Sequence, residues 1–248
     1  KSRAAHNTVM VDGREFYRCK DSWECHDLTR AVNQKFYAES RYGYTEGGCL
    51  AHIGDGLFFN RRVVYLKPDL VLIADEFYGR GAHDYSQFFH FNNVGQLTLT
   101  GDGCRYEGRR ARADFVFPGG VRAKVIDSRL SRHYNEWERN QAVETAFSGD
   151  GFTCAYTVVG LSDADDTRAL RVEKLPVRST FKGTLFADSQ IEAFNLRLGD
   201  LFYTVAVAHE EYASPTDTFE ADGCVGFGQV VVFDRAQGEQ KIGAVLQW

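Results

Sequence analysis

Two short stretches hold the side chains best suited to acid–base, metal or anion chemistry. The first is Ala4-Ala5-His6-Asn7-Thr8-Val9-Met10-Val11-Asp12-Gly13. An imidazole beside a carboxamide, early in a strand-like run, could be a metal ligand, a base or a hydrogen-bonded core residue. A metal site needs three or four converging donors. No HxH or spaced His/Asp pair elsewhere clearly supplies the rest, so chemistry alone favours the core reading. The second stretch is Arg61-Arg62-Val63-Val64-Tyr65-Leu66-Lys67-Pro68-Asp69, followed by an apolar run that ends at Asp75. Strand alternation sends Arg61 and Arg62 to opposite faces. One of them could grip a substrate carboxylate with two parallel N–H groups. The plainer reading is a pairing with a nearby Asp or Glu.

His83 and His90 stand seven residues apart in His83-Asp84-Tyr85-Ser86-Gln87-Phe88-Phe89-His90-Phe91. On one regular strand they face opposite sides and cannot share an ion. Structural roles fit both better than catalysis. His209-Glu210-Glu211 lacks the second histidine of a zinc-protease motif. His26 and His52 sit in loop-like surroundings. Gly223-Cys224-Val225-Gly226-Phe227-Gly228 imitates a nucleotide-binding fingerprint but has no helix after it, and reads as a strand with glycine bends. There is no nucleophile elbow and no phosphate-binding loop.

The elements that must position these groups are strands. Val63–Leu66 and Leu70–Ile73 flank Pro68-Asp69, a turn signal between two β-branched runs, and predict a hairpin of 57–66 with 70–75. The first strand is expected over 4–13 and another over 36–44. Further strands are expected at 83–91, 96–100, 109–117, 121–129, 142–147, 151–159, 170–175, 190–198, 201–208, 224–233 and 241–246. Gly-Asp, Pro-Gly and Asp-Gly turns separate most of them. The one helix-like stretch, 131–144, is sparse in apolar positions. The pattern predicts an all-β, antiparallel β-sandwich. The chain reads as one domain over 1–248, with a possible smaller sheet from about 167, after the polar Ser162-Asp163-Ala164-Asp165-Asp166.

Composition narrows the class. The chain has 248 residues, 44% of them hydrophobic and 14% aromatic, which is ample for a packed core. Its net charge is −5, with no basic stripe of the kind nucleic acid requires. No apolar run reaches the ~20 residues of a membrane span. Six cysteines without a CxxC pair read first as buried free thiols, with disulfides left open.

The His-Asn-Thr run, the Arg-Arg hairpin and the Phe-His-Phe strand, in this order within the first 95 residues, resemble the C-terminal β-domain of heparinase II/III-like polysaccharide lyases. The resemblance implies a supersandwich-like fold and a role in cleaving uronate-containing glycans by β-elimination. It implies that His6 is one ligand of a divalent ion, zinc first, with a His and an Asp supplied upstream. It also implies that Arg3, Asn7 and Arg61 contact substrate. The expected partners are an acidic polysaccharide and an upstream α-toroid carrying most of the catalytic residues. No nucleic-acid or membrane partner is expected. The chain is therefore expected to be inactive and metal-free alone, and to come from a bacterial, secreted (periplasmic or extracellular) enzyme, with a cytoplasmic site as the alternative. A noncatalytic carbohydrate-binding or assembly sandwich is the competing reading.

Overall fold

The computed structural model describes residues 2–21, 23–28, 30–53, 56–134, 136–209, 218–235 and 241–247. A 3-10 turn, Arg3–Ala5, precedes the strands. In chain order these are β1 (Val9–Val11), β2 (Arg18–Cys19), β3 (Cys25–His26), β4 (Val32–Ala38), β5 (Tyr42–Ala51), β6 (Leu57–Leu66), β7 (Leu70–Tyr78) and β8 (Ala82–His90). Then come β9 (Gln96–Leu99), β10 (Gly103–Glu107), β11 (Ala111–Val116), β12 (Arg122–Leu130), β13 (Glu138–Asp150), β14 (Thr153–Asp163) and β15 (Leu170–Leu175). The last are β16 (Arg178–Ser179), β17 (Ile191–Leu198), β18 (Leu201–Ala208), β19 (Phe219–Ala221), β20 (Cys224–Gly226), β21 (Val230–Asp234) and β22 (Lys241–Gln247). The expected all-β, antiparallel sandwich is what forms.

The chain divides into two compact units. The first holds residues 1–36, 45–63 and 72–166; the second holds 37–44, 64–71 and 167–248. In the first unit a four-stranded sheet, β1-β8-β13-β12, lies over the larger part of a sheet ordered β4-β5-β6-β7-β14-β11-β10-β9, whose residues within 37–44 and 64–71 belong to the second unit. Val9, Val11 and Tyr85 of one layer pack with Leu57, Phe59 and Phe77 of the other. Farther along, Phe89 and Val143 pack with Cys104 and Phe117. The second unit has a five-stranded sheet, β15-β17-β18-β21-β22, and a three-stranded one, β16-β19-β20, around Ile191, Ala193, Phe219, Val231 and Phe233.

The predicted β6–β7 hairpin forms, and β7 is an interior strand of its sheet. Leu70 and Leu72 are fully buried while Val71 and Ile73 are half-buried. Both faces close over only at Ala74–Phe77.

Several boundaries differ from the sequence reading. The opening strand is only Val9–Val11, because Ser2 Oγ caps the Arg3–Ala5 turn and the Glu15 carboxylate takes the Arg3 N–H. The expected strand 36–44 is two strands that reverse at residues 39–41, and 224–233 is likewise broken in two. The stretch 131–144 gives no helix among its described residues, and β13 begins at Glu138. The strand β10 was hidden behind Gly101-Asp102-Gly103, read as a turn. Gly103 in fact opens the strand, where a Cβ would lie 1.7 Å from the Phe115 carbonyl oxygen, so only glycine allows the pairing. Cys19 and Cys25 form a disulfide across the β2–β3 hairpin; the other four cysteines are thiols.

Candidate functional site

The site grows from β6 and β7 in the first unit. Arg61 and Arg62 are neighbours with side chains on opposite faces, as alternation requires. Each meets a different acid. Arg61 makes a two-point pair with Asp75, Nε to Oδ1 at 2.6 Å and Nη2 to Oδ2 at 2.7 Å. Arg62 Nε lies 3.1 Å from Glu76 Oε2. Asn60 Nδ2 joins Glu76 to Glu46, donating at 2.8 and 3.0 Å. Asp75, Glu76 and Asn60 are buried, so each of these polar groups needs its partner.

The Arg61–Asp75 pair continues across the sandwich. Gln87 of β8 donates Nε2–H to Asp75 Oδ2 at 2.7 Å, and the Thr145 hydroxyl of β13 donates to Gln87 Oε1 at 2.9 Å. Gln87 and Thr145 are fully buried. At the other end, Arg61 Nη1 donates to the Asn7 carbonyl at 2.7 Å. A polar rail thus runs from Thr145 to the segment that carries His6.

That segment is held from two more sides. Asn7 Oδ1 accepts the His90 backbone N–H at 2.7 Å. His90 Nε2 lies 2.9 Å from the Ala4 carbonyl, which can only accept, so Nε2 carries the hydrogen. In the neutral ring Nδ1 then accepts from the Ser128 hydroxyl at 3.2 Å. With both ring nitrogens engaged, His90 positions the segment. Arg3 donates from Nε to Val9 O at 2.8 Å and from Nη2 to Thr8 Oγ1 at 2.8 Å, with its guanidinium 3.7 Å above the Phe16 ring. Burial holds the Arg3 guanidinium below its usual pKa; Cys49, Glu15 and Tyr17 oppose this, and Arg61 adds to it. Burial also works against the charge of Arg61, but the Asp75 carboxylate outweighs it and the net shift is upward.

The structure therefore brings Arg3, Asn7 and Arg61 together with His90, and leaves His6 and Asn7 exposed on a bend ahead of β1. His6 does not project from a strand. Among the described residues it belongs to no set of three or more converging His, Cys, Asp or Glu side chains, so this chain offers an ion one imidazole there and not a complete donor set. Arg61 also borders a cleft of about 520 Å³ with Lys35, Phe36 and Glu46. His83 is elsewhere on β8, with Nδ1 2.8 Å from Asp12 Oδ2. Glu210 and Glu211 lie outside the described residues. Gln87 and Thr145 escaped the sequence reading. The signal was a glutamine at an inward position between Tyr85 and Phe89, where alternation calls for an apolar side chain.

The family model for the C-terminal region of heparinase II/III-like proteins matches residues 1–172. The chain belongs to that family. No curated protein sequence matches this heparinase II/III-like chain. Among solved structures it is similar to the heparan sulfate lyase HepC from Pedobacter heparinus, with a TM-score of 0.62 at 13% identity over 85% of this chain and 31% of that one. A mutant of the same lyase gives 0.63 at 12% identity over 84% and 31%. The heparinase III BT4657 gene product gives 0.56 at 14% identity over 83% and 30%. At such identities the likeness is one of fold. The heparinase II/III-like chain spans less than a third of the length of these structures. Among its described residues no helix is long and apolar enough to cross a membrane.

Proposed function

We propose that this chain is the β-sandwich portion of a polysaccharide lyase that cleaves uronate-containing glycans by β-elimination, and that it is inactive without an upstream α-domain. The observation that carries the reading is the polar rail Thr145–Gln87–Asp75–Arg61, which fixes the Asn7 carbonyl and so the exposed His6-Asn7 pair. Buried polar networks are costly unless complete. One that ends on a surface segment has a segment to hold.

In β-elimination a base removes the proton beside the uronate carboxylate, and the glycosidic oxygen leaves. Neutralising the carboxylate acidifies that proton. In this reading Asn7 faces substrate with its free amide hydrogens. The Arg3 guanidinium adds positive charge beneath it, while Arg61, neutralised by Asp75, holds the segment through its N–H to the Asn7 carbonyl. His6 offers one ligand to a divalent ion, zinc first, whose remaining ligands come from upstream residues of the parent. Such an ion would help neutralise acidic groups of the substrate. The Cys19–Cys25 disulfide supports a periplasmic or extracellular setting, where such bonds persist.

The test is release of unsaturated uronate, followed by absorbance, from heparan-type and unsulfated polyuronate substrates. The full-length parent and this chain alone are compared, each with His6→Ala and Asn7→Ala. Turnover by the parent only, reduced in both variants, is the expected result. Turnover by this chain alone would overturn its inactivity.

A further inference from the structure

We infer that the Cys19–Cys25 disulfide is a redox-sensitive latch. It keeps the β2–β3 hairpin closed, with Trp23 held out between the two strands, and a dithiol opens the hairpin while the sandwich stays folded. The inference stands apart from the elimination reading.

The hairpin belongs to an excursion without a core. The chain is anchored in the interior at Phe16 and again at Tyr42. Between them no described residue is buried, and from Arg18 to Arg41 every described residue except Cys25 is exposed. Apolar burial, the dominant favourable contribution to folding, is therefore missing from this stretch. Within it β2 and β3 meet through two residue pairs, Arg18 with His26 and Cys19 with Cys25, and form a sheet of their own. A lone two-stranded hairpin is marginal in water.

The noncovalent contacts of the hairpin lie at the surface. Arg18 Nε donates to Asp27 Oδ2 at 2.6 Å, and Lys20 Nζ donates to Glu24 Oε2 at 3.0 Å. Ion pairs this exposed contribute little. Asp21 Oδ1 accepts the Trp23 and Glu24 backbone N–H groups at 2.7 and 2.9 Å, which turns the loop. The Trp23 side chain is left 95% exposed. What remains is the covalent bond between residues six apart, which removes open conformations of the loop. The disulfide is thus the contact that decides whether the hairpin is closed.

Its position also admits a reductant. Cys19 is exposed and Cys25 half-buried. Exposed disulfides are the labile ones. One thiolate of a dithiol attacks Cys19 Sγ, the S–S bond breaks, and Cys25 leaves as a thiolate that takes up a proton. The second thiol of the reagent then attacks the mixed disulfide and releases Cys19 as a thiol. Two electrons and two protons pass to the protein, and the reagent ends as a disulfide.

Dithiol treatment of the native protein, followed by brief trypsin digestion and mass spectrometry, tests this. The dithiol should reduce Cys19–Cys25 without urea and leave the circular dichroism unchanged. Cleavage after Lys20 should then run at least about tenfold faster than in the oxidised protein, since a protease samples the open form. The buried Arg62 should stay uncut in both forms. Cys19→Ser/Cys25→Ser should be cut after Lys20 at the fast rate with or without the dithiol. Four results would each overturn the inference. These are a bond that resists the dithiol until urea unfolds the chain, equal cleavage of the two forms, loss of the sandwich signal or cutting at Arg62 on reduction, or a double variant that is cut slowly or still responds to the dithiol.

Discussion

Arg61 and Asp75 face each other from adjacent strands of one sheet, joined by two parallel hydrogen bonds of 2.6 and 2.7 Å. The carboxylate is wholly buried and the guanidinium side chain one-fifth exposed. Gln87 from the opposing sheet adds a third hydrogen bond to the carboxylate, on the oxygen that Arg61 Nη2 already holds. Removing Arg61 leaves a buried charge with one neutral donor. Arg61→Ala should therefore cost about 3–5 kcal/mol in urea denaturation. Arg61→Lys, which keeps charge but not the fork, should fall between it and the parent. Arg18→Ala, in the exposed pair with Asp27, should leave the midpoint unchanged. An Arg61→Ala protein as stable as the parent would contradict the buried rail.

Leu72 has no exposed surface on an interior strand. Leu72→Asp places an unpaired charge there and should cost about 4 kcal/mol or more, read as a large fall in melting temperature. Unchanged melting would refute its placement.

Asp12 makes stability depend on acid. Slight burial works to raise its pKa, but the Asp84 backbone N–H and the His83 ring outweigh it, and the net shift is downward. A carboxyl with a lower folded than unfolded pKa contributes stability above the unfolded value. The contribution is lost as pH falls through the folded one. Asp12 also has φ 52°, a conformation asparagine tolerates, so Asp12→Asn isolates the charge. The variant should be less stable than the parent at neutral pH, and the gap should close as pH falls below about 4. A gap of the same size in acid would exclude the ionised carboxylate as its source.

Cysteine reactivity tests the layer packing. Burial, with Asp114 adding to it, pushes the Cys104 thiol up to about 12, and burial also raises Cys224. Brief alkylation at neutral pH, read by mass spectrometry, should label the half-buried Cys49 and Cys154 before either of them. Cys19 and Cys25 should label only after reduction. Early labelling of Cys104 would place it outside the core formed with Phe89 and Phe117.

The sequence made local relationships legible. Alternation alone separated Arg61 from Arg62, and the Pro68-Asp69 turn between β-branched runs set the hairpin. Both depend on neighbours along the chain. The partners of the site depend on packing, and so were hidden. Gln87 reaches Asp75 from the opposite sheet, and Ser128 reaches the His90 ring from β12, 38 residues away. The first turn is helical because Glu15, distant in sequence, takes the Arg3 N–H. The Cys19–Cys25 bond follows from the antiparallel pairing of β2 with β3, which sets the two directly opposite. His6 was legible as a candidate, and its exposed place on a bend was not.

The measurement closest to the central claim is elimination by the full-length parent on an unsulfated polyuronate and a heparan-type substrate, with His6→Ala beside it. The account predicts an unsaturated uronate product from the parent. It predicts turnover reduced by about 100-fold or more in His6→Ala, together with loss of bound metal, as expected when an ion-ligand group is removed. Equal turnover and equal metal content in the two proteins, or no elimination product from any uronate glycan, would contradict it.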